Sequence, residues 1–404
     1  MTMPDATSTP RLHIGIAGAG LLGRLLAHVL SHLGHQVTVF DPAPGPHPQW
    51  DGQGPAGFTA AGMLSPLAEL DKAEVEVAAM GWRSLALWPA LLAQAGVPGA
   101  FQCQGSWMLA HRADLGSAQR VLNRLSQAGP DSGFQAPVAT PIDTLRAQEP
   151  MLAGASHAWF LPGEGQVNTE AALVALVAQA SAQGARFHWG QAVSALSATQ
   201  LTAAGTAHAF DRVIDVRGTG ARPDLPVRGV RGEVVHLHLP AHGLTRPVRL
   251  LHPRHRVYLV PRNADTVLLG ASEIESEDRS PVSLQTAVEL MAAAHSVMPS
   301  LAEARILRLD VNLRPALPHH RPEVHGSAEG AAVWRINGLY RHGWLLAPAC
   351  VEQALAQWGL ASRDLAHTMS QAGAAALPLA ETHAPVGPTA HPTPDDGQGL
   401  SHAR

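Results

Sequence analysis

The 404-residue chain is 46% hydrophobic and only 15% charged, with a formal net charge of −4. That is apolar content enough for about two to three ordinary domains, and it excludes the overall basic field that recruits nucleic acid or an acidic membrane. Its two cysteines, Cys103 and Cys350, exclude a framework of bridges and read as free thiols in a reducing cytoplasm.

In chain order, residues 1–10 lack the basic start and apolar stretch of a secretory signal and read as a tail. Leu12 to Ala17 has the length of one buried parallel strand and runs into Gly18-x-Gly20-x-x-Gly23. Leucines and valines from Leu21 to Leu33 then recur at a helical period, and Gly34 is placed to end that helix. A second strand, Gln36 to Phe40, delivers Asp41 at its carboxyl end, 18 residues beyond Gly23. In such a unit Gly18 makes the tight turn, Gly20 admits a pyrophosphate to the backbone and helix N-terminus, and Gly23 lets helix and strand pack closely. Asp41 sits where a carboxylate accepts from a ribose diol, and it would repel a 2′-phosphate. The fingerprint therefore predicts a dinucleotide, either NAD or FAD.

A Pro/Gly-rich loop over residues 42–57 leads to "FTAAGMLSP", and helical segments extend to about Ala93. Gly105 to Ala110 reads as a strand and Ala118 to Gln127 as a helix. After "FLPGEGQVN", Asn168 or Thr169 caps an amphipathic helix closed by Gly184. Short strands follow at Arg186 to Trp189, Ala192 to Leu196 and Arg212 to Val216, and alternation from Arg231 to Ala271 predicts an antiparallel sheet. Within it, the basic stretch "RPVRLLHPRHR" reads as solvated strand edges and turns. A helix spans about Ser283 to Val297, and a strand Ile306 to Val311, after which Arg314 falls in a loop and Arg341 in a Gly/Trp-rich turn. The 23 histidines are scattered, with no metal-ligand spacing, so no metal is expected, and no run of about 18 apolar residues offers a membrane span.

Several motifs together resemble the D-amino acid oxidase family of FAD enzymes, most closely its glycine oxidases of thiamin biosynthesis. They are the fingerprint with Asp41, "AAGMLSP" (60–66), "FLPGEGQVNT" (160–169), "RGEV" (231–234), "YLVPR" (258–262), "NLRP" (312–315) and "GLYRHGWLLAP" (338–348). The resemblance implies an α/β fold with a discontinuous, Rossmann-like FAD-binding domain of glutathione-reductase type over residues 11–84, 144–228 and 312–365. An inserted α+β substrate domain with an antiparallel sheet would take residues 85–143 and 229–311, and a largely disordered tail residues 366–404.

It also implies where FAD and substrate sit. Leu21 and Leu22 would lie at the pyrophosphate turn beside Gly18, Gly20 and Gly23, Asp41 on the ribose, and Val193 near the adenosine. Ala61, Gly62 and Met63 would lie near the flavin, with Leu339, Tyr340, Arg341, His342, Gly343, Trp344 and Leu345 wrapped around its ring. Arg314 would pair with the substrate carboxylate, a task suited to a planar guanidinium, while Arg341 and Tyr258 line the pocket. The implied reaction is oxidative deamination: a neutral amine loses its α-hydrogen as hydride to flavin, water hydrolyses the imine to a 2-oxo acid, and dioxygen becomes hydrogen peroxide. Glycine is the expected substrate, supplying iminoglycine for the thiazole of thiamin, with a D-amino acid dehydrogenase or sarcosine oxidase-like enzyme as the alternative. A flavoprotein acting mainly as a partner of thiazole synthase is the alternative of another class, and homo-oligomers fit the family.

Three departures stand out. Arg217 in "DVRGTGAR" replaces a small residue near the cofactor, and Trp344 is bulkier than the family's aliphatic residue and would narrow the pocket. Ala316-Leu317-Pro318 lack the cysteine that carries covalent flavin in sarcosine oxidases, so FAD is expected to be non-covalent.

Overall fold

The computed structural model describes residues 10–71, 75–125, 135–251, 256–361 and 364–371. His13–Ala17 lies inside a six-stranded sheet, between Gln36–Asp41 and Arg212–Asp215. Arg186–Trp189 extends the sheet on one side, and Trp334–Asn337 with Glu323–His325 on the other. Every pairing is parallel except the last hairpin. A parallel sheet is covered on both faces, which is why these strands read as apolar runs: Ile14, Ile16, Val37, Val39 and Phe40 are all buried. Helices Leu21–His32, Thr169–Ala182 and Gly343–Gln357 supply apolar residues to the same core. Asn168 caps the second of these, accepting from the Ala171 amide at 3.1 Å.

The second sheet has eight strands, in the spatial order Arg305–Ala316, Arg228–His238, Thr266–Gly270, Arg256–Asn263, Val248–Leu251, Ser106–Ala110, His157–Leu161 and Val138–Thr140. It is antiparallel apart from the pairing of Val248–Leu251 with Ser106–Ala110. Side chains alternate between its faces. Val235, Leu237, Leu250, Val257, Leu259 and Leu269 pack with Leu290, Ala294 and Val297 of helix Leu284–Val297. The residues between them, Gly232, Arg249, Tyr258, Gly270 and Arg314, therefore share the opposite face. That period-two arithmetic assembles the site.

Pairing corrects several sequence-based boundaries. His157–Leu161 and the 312–316 segment, assigned above to the first domain, are laddered into the eight-stranded sheet by Ser106–Ala110 and Arg228–His238. Arg314 thus sits in a strand opposite Val230, not in a loop. The basic "RPVRL" is an interior strand with partners on both sides, not a solvated edge. Leu115–Leu125 starts earlier than the expected helix, whose residues 126 and 127 lie outside the described residues. Leu365–Gln371 is a helix in what was read as tail: Leu365 and Met369 are fully buried, and the Leu365 amide donates to Glu352 Oε1 at 2.9 Å. Residues 1–9 and 372–404 lie outside the described residues.

Two polar residues interrupt the apolar face of the first helix, and both are wholly buried. Arg24 donates from Nε to the Ala19 carbonyl at 2.7 Å and from Nη1 to Pro46 and Leu173 carbonyls at 2.7 and 3.0 Å, stitching the glycine turn to its surroundings. Burial lowers its pKa to about 10, with Asp41 opposing. Burial also lowers His28 to about 4, well below the 6.5 of a solvated imidazole. The unfolded chain therefore takes up this proton first, so the contribution of His28 to stability is full above pH 6.5 and is lost as pH falls toward 4, by about 3 kcal/mol in all. His28→Leu is expected to shrink the fall in Tm between neutral pH and pH 4.5, as measured by thermal denaturation. An equal fall in both proteins contradicts this reading.

Candidate flavin and substrate site

The sheet of the opening fingerprint presents a groove of about 360 Å³, within the range of cofactor sites. Gly18, Gly20, Leu21, Leu22, Asp41, Val193, Leu339, Gly343 and Trp344 line it. Gly18 has φ +103°, and a Cβ there would stand 2.8 Å from the Val216 carbonyl oxygen. At Gly23 a Cβ would collide with the Gly18 carbonyl, so Gly23 shapes the turn from behind and does not line the groove. Asp41 accepts from the Ala19 amide at 2.5 Å and the Ala43 amide at 2.8 Å, which ties the strand end to the glycine turn. A carboxylate offers about four acceptor positions, so a diol can still be bound.

Arg217 also reaches this groove. Its guanidinium holds Asp215 through Nε and Nη2, both at 2.9 Å, Asp224 at 2.7 Å, and the Val193 carbonyl at 3.4 Å. The arginine is thus a clamp among carboxylates beside Val193.

A smaller pocket of about 150 Å³ adjoins the groove, and Gly343 and Trp344 line both. Ala61, Gly62, Met63, Tyr258, Arg314, Arg341, His342 and Leu345 line it too. A space of this volume has room for a molecule about the size of benzene. Arg314 lies flat on its sheet because Gly232, on the neighbouring strand, has no side chain: a Cβ there would collide with the guanidinium carbon and both terminal nitrogens. Gly270 does the same for Tyr258, whose ring covers it. Burial raises the Tyr258 pKa, with Arg314 and Arg249 opposing, so the phenol is neutral at physiological pH. Arg314 donates to the Arg231 carbonyl at 3.2 Å.

Arg341, by contrast, faces acids: Nη2 is 3.0 Å from Glu69 and Nη1 3.5 Å from Glu273. Tyr340 lines neither cavity; it stacks on His320 and donates its hydroxyl to Glu273, with its pKa pushed up to about 12 by burial and that carboxylate. Sequence reasoning missed Gly232, Glu69, Arg249 and Glu273, which the pocket brings together from distant strands and turns, and Gly270, which lies under the Tyr258 ring. The signal for one of them was present, since Arg249 lies between Val248 and Leu250 on a strand whose neighbouring positions are apolar.

Trp344 is fixed from behind. Pro348 has no amide for the Trp344 carbonyl, four residues earlier in the same helix, and Trp88 Nε1 donates to that carbonyl instead at 3.1 Å. The two indoles stack with centroids 5.3 Å apart, and Trp344 Nε1 donates to Gly57 at 3.0 Å. Trp88→Phe keeps the ring but strands a buried acceptor, so chemical denaturation is expected to show a loss of about 1–3 kcal/mol. Unchanged stability would remove this role.

Glycine turn, helix N-terminus, ribose-spaced carboxylate and an adjoining pocket fit an extended dinucleotide such as FAD. Cys103 is exposed; Cys350 is buried, its pKa pushed up to about 12 by that burial, and neither forms a disulfide. Among the described residues no group of His, Cys, Asp and Glu is placed to hold a metal, and no helix is long and apolar enough to cross a membrane.

A putative thiamine biosynthesis oxidoreductase ThiO of Rhizobium etli is 35% identical over 340 residues, covering 84% of this chain and 94% of its own. A bifunctional ThiO/ThiG protein of Trichormus variabilis is 26% identical, and the match covers 83% of this chain but only 51% of that relative. The crystal structure of glycine oxidase from Geobacillus kaustophilus shares the fold, with a TM-score of 0.72 at 24% identity over 89% of this chain and 95% of its own. The family described as FAD dependent oxidoreductase, DAO, matches residues 13–358, and the chain belongs to it.

Proposed function

We propose that the protein oxidises glycine, or a comparably small primary or secondary amino acid, to its imine, with dioxygen reduced to hydrogen peroxide, and that it supplies iminoglycine for the thiazole of thiamin. The observation that carries this reading is Arg314, laid flat on Gly232 in a small pocket that opens onto the groove. When bound, FAD supplies the two-electron oxidation and returns the electrons to dioxygen. The chain's own part is placement: Arg314 holds the carboxylate, Tyr258 closes the pocket beside it, and the Trp344 end of the helix separates pocket from core. Fixing one carboxylate in this way orients the α-carbon without a dedicated acid or base. FAD is held non-covalently, since Ala316, Leu317 and Pro318 offer no thiol.

The relatives named for ThiO support the thiamin role. The relative in which ThiO and ThiG share one chain supports a physical partner, which we take to be a thiazole synthase. The test is aerobic turnover of glycine by the FAD-loaded protein, with glyoxylate, ammonia and peroxide each quantified. Equal yields of the three are expected, and acid precipitation should release the flavin. Turnover of sarcosine or D-alanine with none of glycine would replace the substrate.

A further inference from the structure

The pocket is more highly charged than a site for one small zwitterion requires. Arg249, Arg314 and Arg341 face Glu69 and Glu273 across it, so three guanidinium groups against two carboxylates leave one formal positive charge, counting His342 as neutral. Glu69 stands between two of the arginines. Its Oε2 is 3.0 Å from Arg341 Nη2, and its Oε1 is 4.0 Å from Arg249 Nη2. Glu69 closes the short helix Pro66–Glu69, which is fixed from below: completely buried Glu164 accepts from the Ala68 amide at 3.1 Å and from the Ser106 hydroxyl at 2.5 Å. Glu69 is thus delivered by a fixed support, with Arg341 bound to it and Arg249 4.0 Å away.

We propose that Glu69 restricts the pocket to amines bearing a single carboxylate, because it occupies Arg341 and places its own negative charge where a second substrate carboxylate would go. The inference rests on Arg314 as the partner of the first carboxylate. One substrate anion neutralises the pocket; a second would meet Glu69 head-on and find Arg341 already held by Glu69 and Glu273. Discrimination by an opposing charge in a confined site exceeds what a small apolar wall supplies. Glu69 acts through its charge and through Arg341, so it is a specificity residue and takes no part in the oxidation.

The test uses redox-inert carboxylates on the FAD-loaded protein: glycolate with one carboxylate and diglycolate with two, each titrated by its perturbation of the flavin absorbance. The wild type is expected to bind glycolate at least about tenfold more tightly than diglycolate, the scale of one charge-assisted contact. Glu69→Gln should shift the ratio toward diglycolate by about tenfold or more, with glycolate binding retained, and Glu69→Asp should keep the wild-type ratio. A ratio unmoved in Glu69→Gln, a wild type indifferent to the second carboxylate, or glycolate binding lost along with Glu69 would each overturn the proposal. Failure of the underlying reading shows separately, as glycolate binding that survives Arg314→Leu, and that result overturns both.

Discussion

Arg314→Leu is expected to lower kcat/KM for glycine by about a thousandfold while FAD stays bound. That is about 4 kcal/mol, the scale of a charge-assisted, bidentate contact that also sets the geometry of reaction. Leucine keeps an apolar side chain on the strand, whose backbone ladder with Arg228–His238 stays, and gives up the one bond of the guanidinium to that neighbour, at the Arg231 carbonyl. The companion variant is Gly232→Ala. It leaves Arg314 in the sequence but puts a methyl group where the guanidinium lies, so Arg314 must lift off the sheet. Displacement by about an ångström costs on the order of a hundredfold. Steady-state kinetics on both proteins check the pair, and near-wild-type kcat/KM in both would show that the carboxylate is held elsewhere.

Gly23→Ala is expected to yield protein without flavin. The added methyl meets the carbonyl oxygen of Gly18, the residue that makes the turn, and neither backbone can give way inside a packed helix–strand contact. Forcing it in costs about 1–3 kcal/mol of fold stability. Loss of the bound cofactor removes a further 2.7 kcal/mol or so if FAD is normally present at about a hundred times its Kd. The absorbance of the purified protein and its Tm with and without added FAD test this. A flavin-loaded Gly23→Ala protein that melts like the wild type would contradict the role given to the turn.

What was legible in the sequence was local. The glycine turn, its helix and Asp41 fall within 24 residues, Gly18 to Asp41, and each constraint acts on its neighbours, so spacing alone located the groove. Helix Thr169–Ala182 announced its own cap. The pocket was legible only through family resemblance, because its contacts are long-range: Arg341 meets Glu69 across 272 residues, and Arg314 depends on the bareness of Gly232. "RPVRL" was misread for the same reason, since only its parallel pairing with Ser106–Ala110 makes it interior. Helix Leu365–Gln371 is short, and burial of Leu365 and Met369 holds it, with propensity counting for little. Arg24 and His28 looked like interruptions of an apolar face, whereas burial makes one a brace for the glycine turn and the other an acid-sensitive point in the core.

With Arg314 anchoring its carboxylate, glycine is proposed to give its electrons to the bound FAD. The most direct test is the visible absorbance of the FAD-loaded protein held under anaerobic conditions, recorded before and after glycine is added and again after air is admitted. Glycine is expected to bleach the flavin band, air to restore it, and the Arg314→Leu protein to fail to bleach on the same timescale. A flavin band that glycine leaves untouched in protein carrying its full complement of FAD would contradict it.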